Sequence, residues 1–175
     1  YRMARVCRSR VFIDKGISIN KGGCMKALTN FVIKEKKIKI DGLTICYNTI
    51  GNPNKKTLVF VHGWPMFLIT RKRIGLMPLF TELARYFYVI APEHPGFVHS
   101  DPPQQLWGID NYADYLHKLI AKLNVKNPII MGKSFGGAIA TVYAVRHPKN
   151  VHTLILVDST TTYRKDLLWY KTLQL

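Results

Sequence analysis

The chain has 175 residues, 47% of them hydrophobic and 21% charged, with 26 Lys and Arg against 10 Asp and Glu for a formal net charge of +16. Such a length suits one compact domain and strains two, and the even composition, without Pro/Gly excess, biased tract or internal repeat, excludes a disordered or fibrous chain. The charge invites a nucleic-acid or anionic-membrane reading, which its distribution weakens: residues 1–24 hold six basic residues and one acid, and the remaining excess is scattered with no binding module beside it.

Residues 1–24 show neither helical nor strand periodicity, whereas alternation sets in soon after Met25. Lys21-Gly22-Gly23 can be encoded by a purine-rich AAGGAGG-like run, where a bacterial ribosome-binding site would stand ahead of Met25. The expectation is therefore a true start at Met25, with 1–24 an untranslated or disordered leader and a basic N-terminal arm as the alternative. Cys7, Cys24 and Cys46 form no CxxC pair and no complete disulfide set, which fits free thiols in a reducing, cytoplasmic compartment. No run reaches the roughly 18 apolar residues of a membrane span, and the basic N-terminus lacks the roughly 7 to 15 apolar residues of a signal peptide.

Residues 32–40 alternate apolar and charged side chains, with Lys34, Lys36, Lys37 and Lys39 as the wet face of a strand. Asp41-Gly42 is a hairpin turn signal and Leu43–Ile50 the returning strand. Residues 51–54 make a second turn. The run Thr57–Val61 is continuous, apolar and β-branched, as in a strand buried on both faces of a parallel sheet, and 88–91, 129–131 and 151–157 read the same way. Between them lie helices. Pro78 suits the first turn of one that carries Leu79, Phe80 and Leu83, and Asp110 is placed to cap another with Tyr112, Tyr115, Leu116, Leu119, Ile120 and Leu123 on one stripe. The order predicts an α/β fold: an open, mostly parallel sheet with an antiparallel N-terminal hairpin, flanked by helices. Active sites of such sheets lie at the carboxyl ends of the strands.

Two motifs fall at strand ends. After 129–131 comes Gly132-Lys133-Ser134-Phe135-Gly136-Gly137, opening a helix rich in small residues (Ala138, Ala140, Ala144). This is G-x-S-x-G in the strand-turn-helix context its mechanics need. A sharp turn lifts the serine hydroxyl off the sheet, and a Cβ at Gly132 or Gly136 would collide where helix and strand meet. Gly132-Lys133-Ser134 also matches the end of a P-loop, but the first glycine of that motif would fall on Asn127 and the intervening residues are apolar strand. The second motif, His62-Gly63-Trp64-Pro65, ends the strand Thr57–Val61.

With these motifs the chain resembles the α/β-hydrolase family, whose members carry His-Gly after the third strand and a nucleophile elbow after the fifth. The resemblance covers roughly residues 32–159, including Ala91-Pro92-Glu93-His94-Pro95-Gly96-Phe97 followed by Ser100-Asp101-Pro102-Pro103, which is similar to the family's A-P-D-x-P-G-x-G-x-S segment. It implies Ser134 as nucleophile, the backbone N–H groups of Trp64 and Phe135 as oxyanion hole, and His62 as a loop-shaping residue. Epoxide hydrolases and dehalogenase-like relatives share His-Gly-x-Pro but carry Asp at the nucleophile position, so Ser134 points to acyl transfer on an ester-like carbonyl through an acyl-enzyme. The expected partner is a small acyl substrate, with no cofactor, metal or nucleic acid; the sequence leaves the oligomeric state open. The chain departs from the family pattern at Glu93 (usually Asp), Val98 (usually Gly) and Lys133 (often His).

In this family the triad acid and histidine follow later strands. His147 and His152 read as structural, and Asp158 is a weak candidate acid, so the rest of the triad is expected outside the chain. Residues 25–158 are read as the N-terminal part of the core and 159–175, with Leu167, Leu168, Trp169, Tyr170 and Leu173, as the truncated start of a helical lid. On that reading the piece alone is inactive, with an uncovered sixth strand. A receptor-like, non-catalytic member of the same fold is the alternative.

Overall fold

The structure is a computed structural model and describes residues 31–63 and 77–159. The expectations for the leader 1–24, for Trp64 and for the lid beyond Ser159 lie outside those residues. In chain order the elements are β1 (Lys34–Ile40), β2 (Leu43–Ile50), β3 (Thr57–Val61), α1 (Met77–Ala84), β4 (Tyr88–Pro92), α2 (Ile109–Lys122), β5 (Ile129–Lys133), α3 (Phe135–Arg146), a short 3-10 turn at Pro148–Asn150, and β6 (Thr153–Val157).

The six strands form one sheet in the order β1-β2-β4-β3-β5-β6. β1 pairs antiparallel with β2, and β2 antiparallel with β4. The β3–β4, β3–β5 and β5–β6 pairs are parallel. The hairpin turn has the local chemistry it requires: Asp41 (φ 48°) and Gly42 (φ 85°) both lie in the left-handed region that lets a two-residue turn match the strand twist.

β3 shows how one strand feeds two cores. Val59 and Val61 face the cluster built with Leu116, Leu119 and Tyr143 of α2 and α3, whereas Leu58 and Phe60 face Phe80 and Ala84 of α1. Successive side chains alternate across the sheet, so a strand with helices on both sides is apolar throughout. The predicted stripe of α2 is buried as expected at Tyr112, Tyr115, Leu116, Leu119 and Ile120.

Boundaries differ from the sequence reading in several places, and β4 and β5 run on to Pro92 and Lys133, past the ends at 91 and 131. The first strand begins at Lys34 rather than at 32, and Val32 is 74% exposed. The last begins at Thr153, so His152 precedes it and donates its N–H to the Pro128 carbonyl at 2.9 Å. Asp110 is not the cap of α2: the helix starts at Ile109, the Gly108 N–H is held by Asn111 Oδ1 at 3.0 Å, and Asp110 pairs with Arg146 of α3. Polar turn residues cluster at helix starts, and periodicity alone does not say which of them caps.

The loop after β4 is tied down along the N-terminal half of β2. Asp101 accepts from Thr44 N–H at 2.7 Å through its carboxylate, and Ser100 Oγ accepts from Cys46 N–H at 3.0 Å while donating to the Glu93 carbonyl at 2.9 Å. Within this loop Val98 has φ 45° and is 48% exposed. A left-handed conformation costs an L-residue about 1–2 kcal/mol, more than the roughly 0.5–1 kcal/mol of extra chain entropy a glycine loses on folding. Val98→Gly is therefore expected to stabilise the protein by about 0.5–1 kcal/mol, read as a rise in the midpoint of chemical denaturation; a fall would show that the Val98 side chain contributes packing.

Candidate active site

β5 runs straight into α3 through a single residue, Ser134, whose φ of 51° and ψ of −122° fall outside the helical and extended regions. An L-residue held there carries local strain of about 1–3 kcal/mol, which persists only where surrounding contacts fix it. Those contacts are visible. The Ser134 N–H donates to the Val157 carbonyl of β6 at 3.0 Å, and its carbonyl accepts from Gly137 N–H at 2.9 Å.

Three glycines make the turn possible. A Cβ on Gly132 would stand 2.6 Å from the Gly136 carbonyl oxygen and the Gly137 Cα; one on Gly136 would stand 2.2 Å from the carbonyl oxygens of both Val61 and His62. One on Gly63 would lie 2.9 Å from the Ser134 Cβ. The end of β3, the end of β5 and the first turn of α3 thus share one contact with no room for a side chain between them. Gly132, Gly136, Gly63 and Ser134 are brought together as the motifs required. Phe135 opens α3, with its ring 5.6 Å from Tyr112 and 6.3 Å from His94.

His62 is buried at 1% exposure one residue beyond β3, and His94 is completely buried beyond β4. Their ring centroids are 3.9 Å apart. His62 Nδ1 faces the Gly63 carbonyl at 2.9 Å, and its Nε2 accepts the His94 N–H at 3.0 Å. His94 Nε2 faces the His62 carbonyl at 3.1 Å. A nitrogen facing a carbonyl must carry the proton, so His62 is the Nδ1–H tautomer and His94 the Nε2–H tautomer, both neutral. Burial pushes the His62 pKa down to about 4 against the pull of the Gly63 carbonyl. The His94 pKa is also lowered well below the ordinary imidazole value, by burial and then by the neighbouring His62.

Reading the sequence assigned no role to His94. A signal was present: β3 and β4 are neighbouring parallel strands, and a histidine near the end of each is bound to meet the other. Glu93 was noted only as a departure from Asp; it is buried and accepts the His99 N–H at 2.9 Å, with His99 Nδ1 at 3.4 Å from its other oxygen.

All six histidines of the sequence fall in the described residues, and none is hydrogen-bonded to Ser134. His62 and His94 hold each other, His99 faces Glu93, His117 and His147 stack at 3.8 Å on the seam of α2 and α3, and His152 faces Thr153. Asp158 follows β6, exposed, with φ 44°. The register Lys133↔Val157 places it one strand away from Ser134 at the same level of the sheet. Ser159 packs on Gly137, where an added Cβ would stand 2.1 Å from the Ser159 Oγ. Among the described residues no three His, Cys, Asp or Glu side chains gather as a metal site, and no helix is long and apolar enough to cross a membrane.

Two outcomes follow. Gly136→Ala would press a methyl against two backbone carbonyls and is expected to cost more than about 3 kcal/mol or abolish folding, while Gly42→Ala, with nothing within 4 Å, costs only the roughly 1–2 kcal/mol of left-handed strain; denaturation of the two variants compares them. The second concerns pH. A histidine at about 4 when folded and about 6.5 when unfolded lets the unfolded chain bind protons first, so stability is full above pH 6.5 and falls as pH drops towards 4. His62 alone contributes a loss of about 3 kcal/mol, and His94 adds in the same direction. Urea midpoints unchanged between pH 7 and 4.5 would contradict a neutral buried pair.

The α/β hydrolase fold family model matches residues 56–174. The 2-hydroxymuconate semialdehyde hydrolase of Pseudomonas sp. strain CF600 is 32% identical over 104 residues, covering 55% of this chain and 37% of that protein. Lipase 1 of Psychrobacter immobilis is 29% identical over 186 residues, covering 90% of this chain and 52% of its own length. Among solved structures, Cfl2 of Burkholderia cenocepacia superposes with a TM-score of 0.66 at 26% identity, covering 81% of this chain and 47% of that one. The chain thus spans about half or less of the length of these relatives. With the family model matched over most of its length and the sheet order, elbow and strand-end glycines in place, the chain belongs to the α/β-hydrolase fold family.

Proposed function

We propose that this chain is the nucleophile-bearing part of a serine hydrolase acting on an ester-like carbonyl substrate. The observation that carries the reading is the backbone of Ser134, held at φ 51° and ψ −122° between β5 and α3. Strain of that kind at a strand-helix turn lifts a hydroxyl clear of the sheet. Ser134 Oγ attacks the carbonyl carbon, the backbone N–H groups of Phe135 and Trp64 stabilise the resulting oxyanion, and collapse expels the leaving group to give an acyl-enzyme that water hydrolyses. Two such donors are each commonly worth about 3–4 kcal/mol in the transition state.

The base and acid of the triad are proposed to come from sequence following Leu175, with Asp158 a weaker candidate for the acid. The six histidines each have other partners or positions, which supports the further proposal that the 175-residue chain alone does not turn over. Lipase 1 and the semialdehyde hydrolase support a small acyl or carbonyl substrate without choosing between ester and carbon–carbon cleavage. The buried free thiol of Cys46 suits a reducing, cytoplasmic compartment.

A fluorophosphonate probe tests the assignment on protein expressed from the gene with whatever coding sequence follows Leu175. Labelling is expected, and is expected to vanish in Ser134→Ala. Folded protein that takes no label would favour a binding member of the fold, and label that survives Ser134→Ala would place the nucleophile elsewhere.

A further inference from the structure

Two hydrogen bonds run in opposite senses between the ends of β3 and β4. The His94 backbone N–H donates to His62 Nε2 at 3.0 Å, and His94 Nε2–H donates to the His62 carbonyl at 3.1 Å. The first leaves His62 only its Nδ1 to carry a proton, and that proton goes to the Gly63 carbonyl at 2.9 Å. The second holds the His62 carbonyl, the oxygen that a Cβ on Gly136 would approach to 2.2 Å. From these contacts we infer that His94 is a positioning residue, whose side chain holds the His62 carbonyl at the end of β3 and so steadies the backbone against which Ser134 and the first turn of α3 are packed.

The consequence for chemistry rests on the reading above that Ser134 is the nucleophile: the His62 carbonyl that His94 holds is the one packed against Gly136 in the first turn of α3, which follows directly on Ser134. The contact between Gly63 and Ser134, where an added Cβ would come within 2.9 Å of the serine Cβ, sets the clamp against the elbow itself.

Packing alone does not account for His94. It is completely buried among the rings of Phe97, Tyr112, Tyr115 and Phe135, a setting a leucine would fill without desolvating a polar ring. Its Nδ1 is buried with no hydrogen-bond partner among the described residues. The ring therefore bears a desolvation cost on one side while its other nitrogen makes the contact to His62. A positioning role needs that second nitrogen and nothing from the first.

The test separates donor from shape. His94→Gln keeps an N–H where Nε2 stands; His94→Leu removes it at similar volume. In the 15N-labelled chain at neutral pH, imidazole NMR is expected to show His62 protonated at Nδ1 and His94 at Nε2. The Gly137 N–H, which donates to the Ser134 carbonyl in the first turn of α3, should stay as protected from exchange in His94→Gln as in the unaltered chain and exchange faster in His94→Leu. A wild-type His94 protonated at Nδ1, or a folded His94→Leu whose Gly137 N–H exchanges no faster, overturns the clamp. In protein expressed with whatever coding sequence follows Leu175, His94→Leu is expected to lower kcat at least about tenfold with KM within about twofold, a fraction of the loss on deleting an oxyanion donor, and His94→Gln to restore it. An unchanged kcat in folded His94→Leu would also overturn the inference. If that protein has no Ser134-dependent activity, the hydrolase reading fails, and the NMR result alone decides the clamp.

Discussion

At the carboxyl end of β3 the chain passes so close to the start of α3 that the carbonyl oxygens of Val61 and His62 occupy the space a side chain at residue 136 would need. A shared backbone contact of this kind cannot relax by moving a rotamer, because protein interiors leave no spare volume beside it. It fixes the height at which α3 leaves β5 and hence the left-handed backbone of Ser134. Gly132 on the other side of the turn and Gly63 against the Ser134 side chain complete the same constraint. Strain at one residue is sustained here by the cooperation of three elements, none of which would impose it alone.

The histidine pair adds a polar layer to the same contact. Two imidazoles without charge, in opposite tautomers, bind the ends of β3 and β4 while remaining among aromatic rings. Charged groups at that depth would cost far more than neutral ones, and the tautomers set by the surrounding carbonyls avoid that cost. Glu93, the buried residue just before His94, places its carboxylate on the N–H and ring of His99 and ties the β4 loop down.

The architecture was legible because its signals are local and repeated. Apolar strands at 57–61 and 129–131, the Asp41-Gly42 turn and the stripe of α2 each follow from periodicity or turn chemistry, and the structure places each there, with β5 running two residues further to Lys133. The elbow was legible because the steric need for glycine at 132 and 136 follows from strand-turn-helix geometry alone. His94 was not, since its role depends on strand order, a long-range property: only when β3 and β4 lie side by side do residues 62 and 94 meet. The cap of α2 was misplaced at Asp110 for a short-range reason, because Gly108 and Asn111 can close the same helix end. Val98 was marked as a departure from glycine, but only the backbone shows that it adopts the glycine-like conformation regardless.

The most direct measurement is a crystal structure of the protein at a resolution that fixes individual backbone dihedrals. Ser134 with a positive φ near 51°, and the Gly63, Gly132 and Gly136 backbones in van der Waals contact around it, is the expected result. Ser134 in an ordinary helical or extended conformation, with space between β3 and α3, would contradict the strained elbow on which the rest depends.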